Sequence, residues 1–154
     1  MASSSDTADS IRIEVLEELV GYHLRRASGV FANDFARALA GSGMRQVLFG
    51  ILSIIAENPG INQGSVGRAL GIQRANMVSL VNELADRGMV NREPSPDDRR
   101  ALSLSLTDAG RVAVADCLDR IRRHEDGLLS DLSSAERATL VSLLGRIEAK
   151  ERPE

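Results

Sequence analysis

Several residue types with specialised roles are scarce or missing in this 154-residue chain. Tryptophan is absent and aromatic residues make up only 3% of the sequence, so the core must be aliphatic, which favours packed helices. Cys117 is the single cysteine, which excludes an intramolecular disulfide and a cysteine zinc cluster within one chain. The two histidines, His23 and His124, do not supply a metal site. We therefore expect neither a metal ion nor a cofactor.

Long hydrophobic runs are also missing. No stretch of 18 apolar residues occurs, and the polar N-terminus MASSSDTADS lacks the basic region that begins a signal peptide. We therefore expect a soluble, cytoplasmic protein that does not associate with membranes. Hydrophobic residues nevertheless make up 43% of the chain, which is sufficient for one domain with its own core.

The sequence signatures of common enzyme classes are missing as well. There is no phosphate-binding loop, no metal-ligand spacing and no nucleophile elbow. The serines and aspartates lie mainly where helix caps and turns are expected. We therefore expect a binding protein and not an enzyme.

The balance of charge argues against strong non-specific binding to nucleic acid. Nineteen basic residues face 22 acidic ones, which gives a net charge of −3. Between Asn62 and Arg100, six arginines face five acidic residues, so that the local balance is +1. Any affinity for DNA must therefore come from where the charges are placed.

The first third of the chain has helical periodicity. Apolar residues recur every three or four positions from Ile11, which predicts a helix to about Ala27. The following segment, 28–43, either extends that helix past a break or forms a separate turn. The segment Met44 to Glu57 is apolar on most faces, which predicts a buried central helix that ends at Asn58, Pro59 and Gly60.

The middle of the chain predicts two short helices joined by a tight turn. Asn62 is suited to cap the first helix, and Gly71 supplies the left-handed residue at its end. The second helix is expected from about Gln73 to Arg87, with Gly88 after it. The apolar positions of the first helix are Val66, Ala69 and Leu70. On the second helix, the residues expected on the inward face are Met77, Leu80, Val81 and Leu84.

A β-hairpin is predicted directly after these helices. The segments Met89–Arg92 and Leu102–Leu106 alternate apolar and polar residues, and the polar loop between them carries Asp97, Asp98, Arg99 and Arg100. Helix, turn, helix and hairpin in this order are typical of a winged helix-turn-helix. The predicted fold class is therefore mainly α with a small β-hairpin wing, a fold that binds duplex DNA.

Two groups of polar residues are candidates for DNA contact. Arginine pairs with guanine, asparagine and glutamine pair with adenine, and an arginine on a β-loop suits a narrow minor groove. The alternatives are a solvated helix face and a charged turn that keeps a hairpin soluble. The candidates are Gln73, Arg74, Ala75, Asn76 and Ser79 on the second helix and Asp98, Arg99 and Arg100 on the loop.

The C-terminal part predicts two further helices. Thr107 is suited to cap the first, and Ser133 with Glu136 matches a capping box at the start of the second. Long amphipathic helices at both ends of the chain expose apolar faces that need a partner. That partner is either a second copy of the chain, which would bind a palindromic DNA site, or the rest of the monomer.

One motif adds a family resemblance to this reading. The segment DRRALSLSLTDAG satisfies the pattern D-x-R-x-x-x-L-x-L-T-x-x-G at Asp98, Arg100, Leu104, Leu106, Thr107 and Gly110. Over roughly Ile11 to Lys150, the chain resembles the MarR family of bacterial transcription regulators. The resemblance implies a wing arginine at Arg100, oriented by Asp98, and a recognition helix over Gln73–Arg87.

The resemblance also implies a domain organisation. After a disordered lead at residues 1–9, residues 10–154 would form a single MarR-type domain. Segments 10–43 and 108–150 would supply the helices that join a homodimer, and residues 44–107 would form the winged helix-turn-helix lobe.

Control by a small-molecule effector, frequently an anionic aromatic, is a further implication of the resemblance. An arginine beside a histidine and aromatic side chains can hold a carboxylate against an apolar wall. The alternative is that His23 packs in the dimer interface and Arg45 faces water. The candidate residues are Tyr22, His23, Met44, Arg45 and Phe49.

The sequence therefore predicts a dimeric, sequence-specific repressor that binds double-stranded DNA and is released by an effector. One alternative is a winged-helix protein-interaction module that does not bind DNA, which the acidic net charge would suit. Another is an oxidant sensor that acts through Cys117.

Overall fold

The computed structural model describes residues 13–96 and 101–150. The lead predicted at residues 1–9 lies outside them. The chain divides into two compact units, residues 1–33 and 34–154. The elements are α1 (Glu14–Glu17), α2 (Val20–Ala38), α3 (Gln46–Glu57), β1 (Ile61–Asn62), α4 (Gln63–Leu70), α5 (Arg74–Asp86), β2 (Val90–Pro94), β3 (Leu102–Leu106), α6 (Asp108–Leu128) and α7 (Ser134–Glu148). This content confirms the predicted fold class.

The structure interrupts the predicted first helix and, as one of the two alternatives for segment 28–43 allowed, extends it beyond Ala27. The helix breaks at Glu18, where α1 stops, and α2 then continues well past the expected end at Ala27. The Ser28–Gly29 pair does not stop α2, because one glycine inside a helix costs only about 1 kcal/mol. Ala38 and the following Leu39 are buried, so tertiary packing outweighs that local cost.

Helix α3 lies at the centre of the second unit, as predicted. Leu48, Ile51, Leu52 and Ile55 have no exposed surface, and they contribute to one core shared with the neighbouring helices and the sheet. The helix ends at Glu57, before Asn58, Pro59 and Gly60. Burial on most sides is what its continuous apolar sequence requires.

The helix-turn-helix consists of α4 and α5. The Asn62 side chain accepts a hydrogen bond from the Ser65 amide (2.8 Å), and Gly71 ends α4 with φ 65°, so both predicted end signals are confirmed. Of the three apolar positions of α4, Val66 is buried, whereas Ala69 and Leu70 are exposed. Gly67 is buried together with Val66. A Cβ on Gly67 would lie only 2.9 Å from Met77 Cγ. This glycine lets α4 and α5 approach closely.

The wing is part of a three-stranded antiparallel sheet with the order β1-β3-β2. The predicted hairpin is present, with Val90 opposite Leu106 and Pro94 opposite Leu102. The third strand, β1, was not predicted. Its Ile61 pairs with Leu104, whose buried side chain joins the sheet to the core.

The T-x-x-G part of the motif joins the wing to α6. The Thr107 hydroxyl donates to the Gly88 carbonyl (2.6 Å) and accepts from the Gly110 amide (3.0 Å), which caps α6 as predicted. A Cβ on Gly110 would lie 2.1 Å from the Met89 carbonyl oxygen, so only glycine permits this contact. The two residues thus fix α6 to the start of the wing.

The C-terminal helix begins with the predicted capping box. Ser133 Oγ accepts from the Glu136 amide, and the Glu136 carboxylate accepts from the Ser133 amide (2.8 Å). These hydrogen bonds lower the pKa of the Glu136 carboxyl. None of the helices described is both long and apolar enough to cross a membrane.

Replacing Gly110 by alanine tests the contact with Met89. We expect the free energy of unfolding to fall by roughly 1–3 kcal/mol, because a methyl group must displace a backbone carbonyl. Urea unfolding followed by circular dichroism measures this loss. The matched control is Gly127→Ala in the same helix, where the added Cβ meets nothing within 4 Å and stability should be equal or higher. Equal stability of the two variants would contradict the contact.

Candidate nucleic-acid interface

The polar face of α5 is exposed. Met77, Val81 and Leu84 turn into the core, which leaves the opposite side of the helix facing solvent. Gln73 precedes the helix as its N-cap residue. All five candidate base readers on this segment are exposed, namely Gln73, Arg74, Ala75, Asn76 and Ser79. Their position over the first turns of the helix leaves their side chains accessible to solvent.

A basic groove lies between α4, α5 and the wing, with a volume of about 640 Å³. Arg68 of α4, Arg74 of α5 and Arg92 of β2 all line it. No acidic residue is found among the lining residues of the described chain. We call this surface the arginine groove. It concentrates positive charge that the local sequence balance of +1 does not reveal.

Two of these arginines are held by neighbouring polar side chains. Arg68 Nη2 donates to Ser65 Oγ (2.8 Å), one turn earlier on α4. Arg92 Nη1 donates to the Asn82 side chain of α5, which links the wing to that helix. These hydrogen bonds orient the guanidinium groups while leaving other N–H groups of each free to donate.

Sequence analysis did not select Arg68, Asn82 or Arg92. A usable signal exists for Arg92, because strand alternation places it on the same face as Val90, which is buried against the core. A long side chain on that face can reach the neighbouring helix. Arg68 and Asn82 carry no comparable signal, since each is an ordinary polar residue on a helix surface.

The acidic residue Glu83 of α5 lies away from the arginine groove. Its carboxylate forms an ion pair with Arg45, which precedes α3, and a longer contact with Arg87 (3.8 Å). Arg87 in turn donates to the Gly43 carbonyl oxygen (3.1 Å). The pairs are partly exposed, so they add little to stability, but they place the negative charge of Glu83 beside the connection from α2 to α3.

The predicted wing-tip residues Asp98, Arg99 and Arg100 lie outside the described residues. The loop is closed just before and after them by a hydrogen bond from the Ser95 amide to the Ala101 carbonyl (2.9 Å). Their role in binding DNA stays a prediction.

Two of the predicted effector residues, Tyr22 and His23, lie in the first unit. The Tyr22 hydroxyl accepts a hydrogen bond from Arg26 (3.2 Å). The rings of Tyr22 and His23 pack edge to face, with 5.5 Å between their centres. His23 Nε2 lies 2.8 Å from the Glu17 carbonyl oxygen. Because a carbonyl only accepts, Nε2 must carry the proton, which leaves Nδ1 as the acceptor of the neutral ring.

The other three predicted effector residues, Met44, Arg45 and Phe49, lie in the second unit. Met44 is buried in the core, and Phe49 packs edge to face on Phe35 with 6.1 Å between the ring centres. Arg45 is exposed and already paired with Glu83. An effector carboxylate that bound Arg45 would therefore compete with Glu83.

Cys117 is buried in α6 and contributes to the core. Burial raises the pKa of its thiol above the ordinary value, an effect that the nearby Arg120 only partly opposes. The reactive thiolate is therefore a minor species at neutral pH. Within residues 13–96 and 101–150, no cluster of three potential metal ligands occurs.

Known proteins with similar sequences and structures are transcription regulators. A sequence profile of the MarR family matches residues 42–101. A protein of Thauera aromatica, assigned as a transcriptional regulatory protein for the hcr operon, is 36% identical over 146 residues, which cover 94% of this chain and 87% of that protein.

Two solved structures of the transcriptional repressor CouR are also similar. The first, bound to a 23-mer DNA duplex, has a TM-score of 0.83 and 37% identity, covering 90% of this chain and 98% of that one. The second, bound to p-coumaroyl-CoA, has a TM-score of 0.76 and 35% identity, covering 92% and 99%.

Alkylation of Cys117 tests the sensor alternative. We expect iodoacetamide to modify this thiol much more slowly in the folded protein than in urea, because burial both shields it and raises its pKa. Mass spectrometry measures the modified fraction over time. Because the thiolate is the species that reacts and its pKa is raised, the rate of labelling should increase as the pH rises. Rapid labelling at pH 7 together with loss of DNA binding under mild peroxide would instead support an oxidant sensor.

Proposed function

Because the chain belongs to the MarR family of transcription regulators, we propose that it binds a palindromic operator as a homodimer and represses transcription until a small-molecule effector releases it. The observation that carries this proposal is the arginine groove beside the exposed face of α5. Arginines account for affinity to the DNA backbone, and the polar residues of the helix account for the choice of sequence.

In this proposal α5 is the recognition helix and enters the major groove. Arg74 and Asn76 project from its first turns, where bidentate contacts to guanine and adenine are made. Gln73 and Ser79 supply further hydrogen bonds, and Ala75 permits close approach to the base edges, including apolar contact with a thymine methyl group. All five residues are exposed, which supports this assignment.

Arg68 and Arg92 are proposed to contact phosphates. They flank α5 on the α4 and wing sides of the arginine groove, so they face the two strands that border a major groove. Arg100, oriented by Asp98 and adjacent to Arg99, is proposed to enter the neighbouring minor groove, as the family resemblance implies.

Exposed apolar side chains support the homodimer. On α7, Val141 is 70% exposed, and three other large apolar residues of that helix are exposed with it. In the first unit, exposed apolar residues occur along α1 and the start of α2. Surfaces of this kind mark protein contacts in soluble proteins. The residues are Leu140, Leu143 and Ile147 on α7, and Val15, Leu16, Leu19 and Val20 in the first unit.

An aromatic acyl thioester of coenzyme A is the proposed effector class. The CouR structure with p-coumaroyl-CoA supports it, since that repressor matches almost the whole of this chain. Such a ligand is both aromatic and anionic, which agrees with the class predicted from the sequence. Tyr22, His23, Met44, Arg45 and Phe49 remain the candidates for contact with its aromatic acyl group.

Two substitutions distinguish base readout from phosphate contact. Asn76→Ala should weaken binding to the preferred operator by about 1–3 kcal/mol and relax the preference at one base pair in each half-site. Arg68→Ala should weaken binding to all sequences by a similar factor. Selection from a randomised operator library, followed by fluorescence anisotropy on the selected duplexes, measures both effects.

The matched control for these variants is Arg122→Ala on α6, an exposed arginine that does not line the arginine groove. It should bind the operator as wild type does. If Asn76→Ala leaves the base preference unchanged, the recognition-helix assignment is wrong. If the wild-type protein binds no sequence in the library, the protein-interaction alternative replaces the repressor.

A further inference from the structure

A second basic cleft lies in the second unit, between the C-terminal end of α2 and the second half of α6. Its volume is about 780 Å³, which is within the range of small-ligand sites. Arg37 lines one wall, and Arg120 and Arg123 line the other. We call it the α2–α6 cleft. It shares no residue with the arginine groove and contains none of the predicted effector residues.

Helical spacing explains why these side chains converge. Arg120, Arg123 and Gly127 are spaced by three and four residues, so they lie on one face of α6. Asp34 and Arg37 have the same spacing on α2. A Cβ on Gly127 would meet nothing within 4 Å, so the floor of the cleft is open at this residue.

The charge of the α2–α6 cleft is strongly positive. Asp34 is the single acidic residue among its lining residues in the described chain, and it lies 3.0 Å from His124 Nδ1. None of the three arginines forms an ion pair with a carboxylate among residues 13–96 and 101–150. Three guanidinium groups therefore face one carboxylate, which is already hydrogen-bonded to a histidine.

No acidic residue of α6 is among the residues that line the cleft. Asp126 is directed to α7, where it pairs with Arg137 (2.6 Å). The Asp119 backbone carbonyl accepts a hydrogen bond from Arg123 Nε (3.2 Å), which helps to orient that guanidinium. An ordinary solvated helix face mixes charges of both signs. The residues of α6 that line the cleft include two arginines and no acidic residue.

Three arginines on two walls suit a ligand with several phosphate groups. Guanidinium groups bind phosphate through paired N–H donors, and one monovalent carboxylate would leave two of the three without a partner. We propose that the α2–α6 cleft binds the phosphate groups of the effector's coenzyme A portion, an inference that rests on the proposed function. The bound acyl thioester would then be held by its nucleotide end at this cleft.

Calorimetric titration of the full-length dimer tests the site directly. The probes are coenzyme A, adenosine 3′,5′-bisphosphate and pantetheine, which lacks phosphate. Wild type should bind the first two and not the third. Arg120→Ala/Arg123→Ala should bind both phosphorylated probes at least about tenfold more weakly, because each lost charge-assisted hydrogen bond costs roughly that factor. Arg37→Ala, from the opposite wall, should weaken binding in the same direction.

The control is Arg122→Ala, which removes an exposed arginine from the same helix without altering the cleft. It should bind the probes as wild type does. Thermal unfolding and size-exclusion chromatography verify that each variant remains folded and dimeric. Unchanged probe affinity in the double variant would overturn the inference, and so would a loss of operator affinity as large as the loss of probe affinity, since the cleft would then contact DNA.

A separate readout distinguishes this inference from the proposed function. Release of a labelled operator by p-coumaroyl-CoA, followed by fluorescence anisotropy, should need higher ligand concentrations in the double variant than in wild type. If the bisphosphate binds at the cleft but no thioester releases the operator, the phosphate site is supported and the proposed effector class is wrong. If p-coumarate alone releases the operator and neither phosphorylated probe binds, the repressor stands and the cleft assignment is overturned.

Discussion

The packing of Met77 against Gly67 is the contact on which the proposed DNA-binding surface depends. Met77 is almost completely buried, and the missing side chain of Gly67 lets α5 lie close against α4. With Met77 fixed inward, the rotation of α5 about its axis is set, because residues on one helix keep fixed angular positions. Arg74 and Asn76 must then face outward, and Glu83 must lie beside Arg45. A single apolar contact thus determines which polar groups of α5 are exposed.

The same rotation separates the charges of a chain whose net charge is −3. Glu83 is paired with Arg45 and Arg87, while Arg68 and Arg92 remain on the opposite side, in a groove without acidic lining residues in the described chain. Net charge governs long-range attraction, but short-range affinity depends on the groups at the surface in contact. A protein with more acidic than basic residues can therefore present a basic face to DNA.

Elements that depend on local sequence signals were predicted correctly. Elements that form only through contacts between distant parts of the chain were not predicted. The family and the regulator class predicted from the D-x-R to T-x-x-G motif are confirmed by the similar proteins, and the caps at Asn62, Thr107 and Ser133 are confirmed by their hydrogen bonds. Local signals allowed the first helix either to stop near Ala27 or to extend past it, and burial of Leu39 favours the longer helix. Strand β1 was missed, since its two residues become a strand only by pairing with β3, about forty positions away. Arg68 and Asn82 were missed for the same reason, because their convergence with Arg74 and Arg92 is a property of the packed fold.

The salt dependence of operator binding tests the central claim most directly, namely that a few well-placed arginines carry the affinity of a near-neutral chain. Two phosphate-contacting arginines, Arg68 and Arg92, in each of two protomers predict that the logarithm of the association constant falls against the logarithm of salt concentration with a slope of about −4. Fluorescence anisotropy on one operator across a series of salt concentrations measures this slope. A slope near zero with tight binding would contradict the account, because phosphate contacts by the arginine groove could not then supply the affinity.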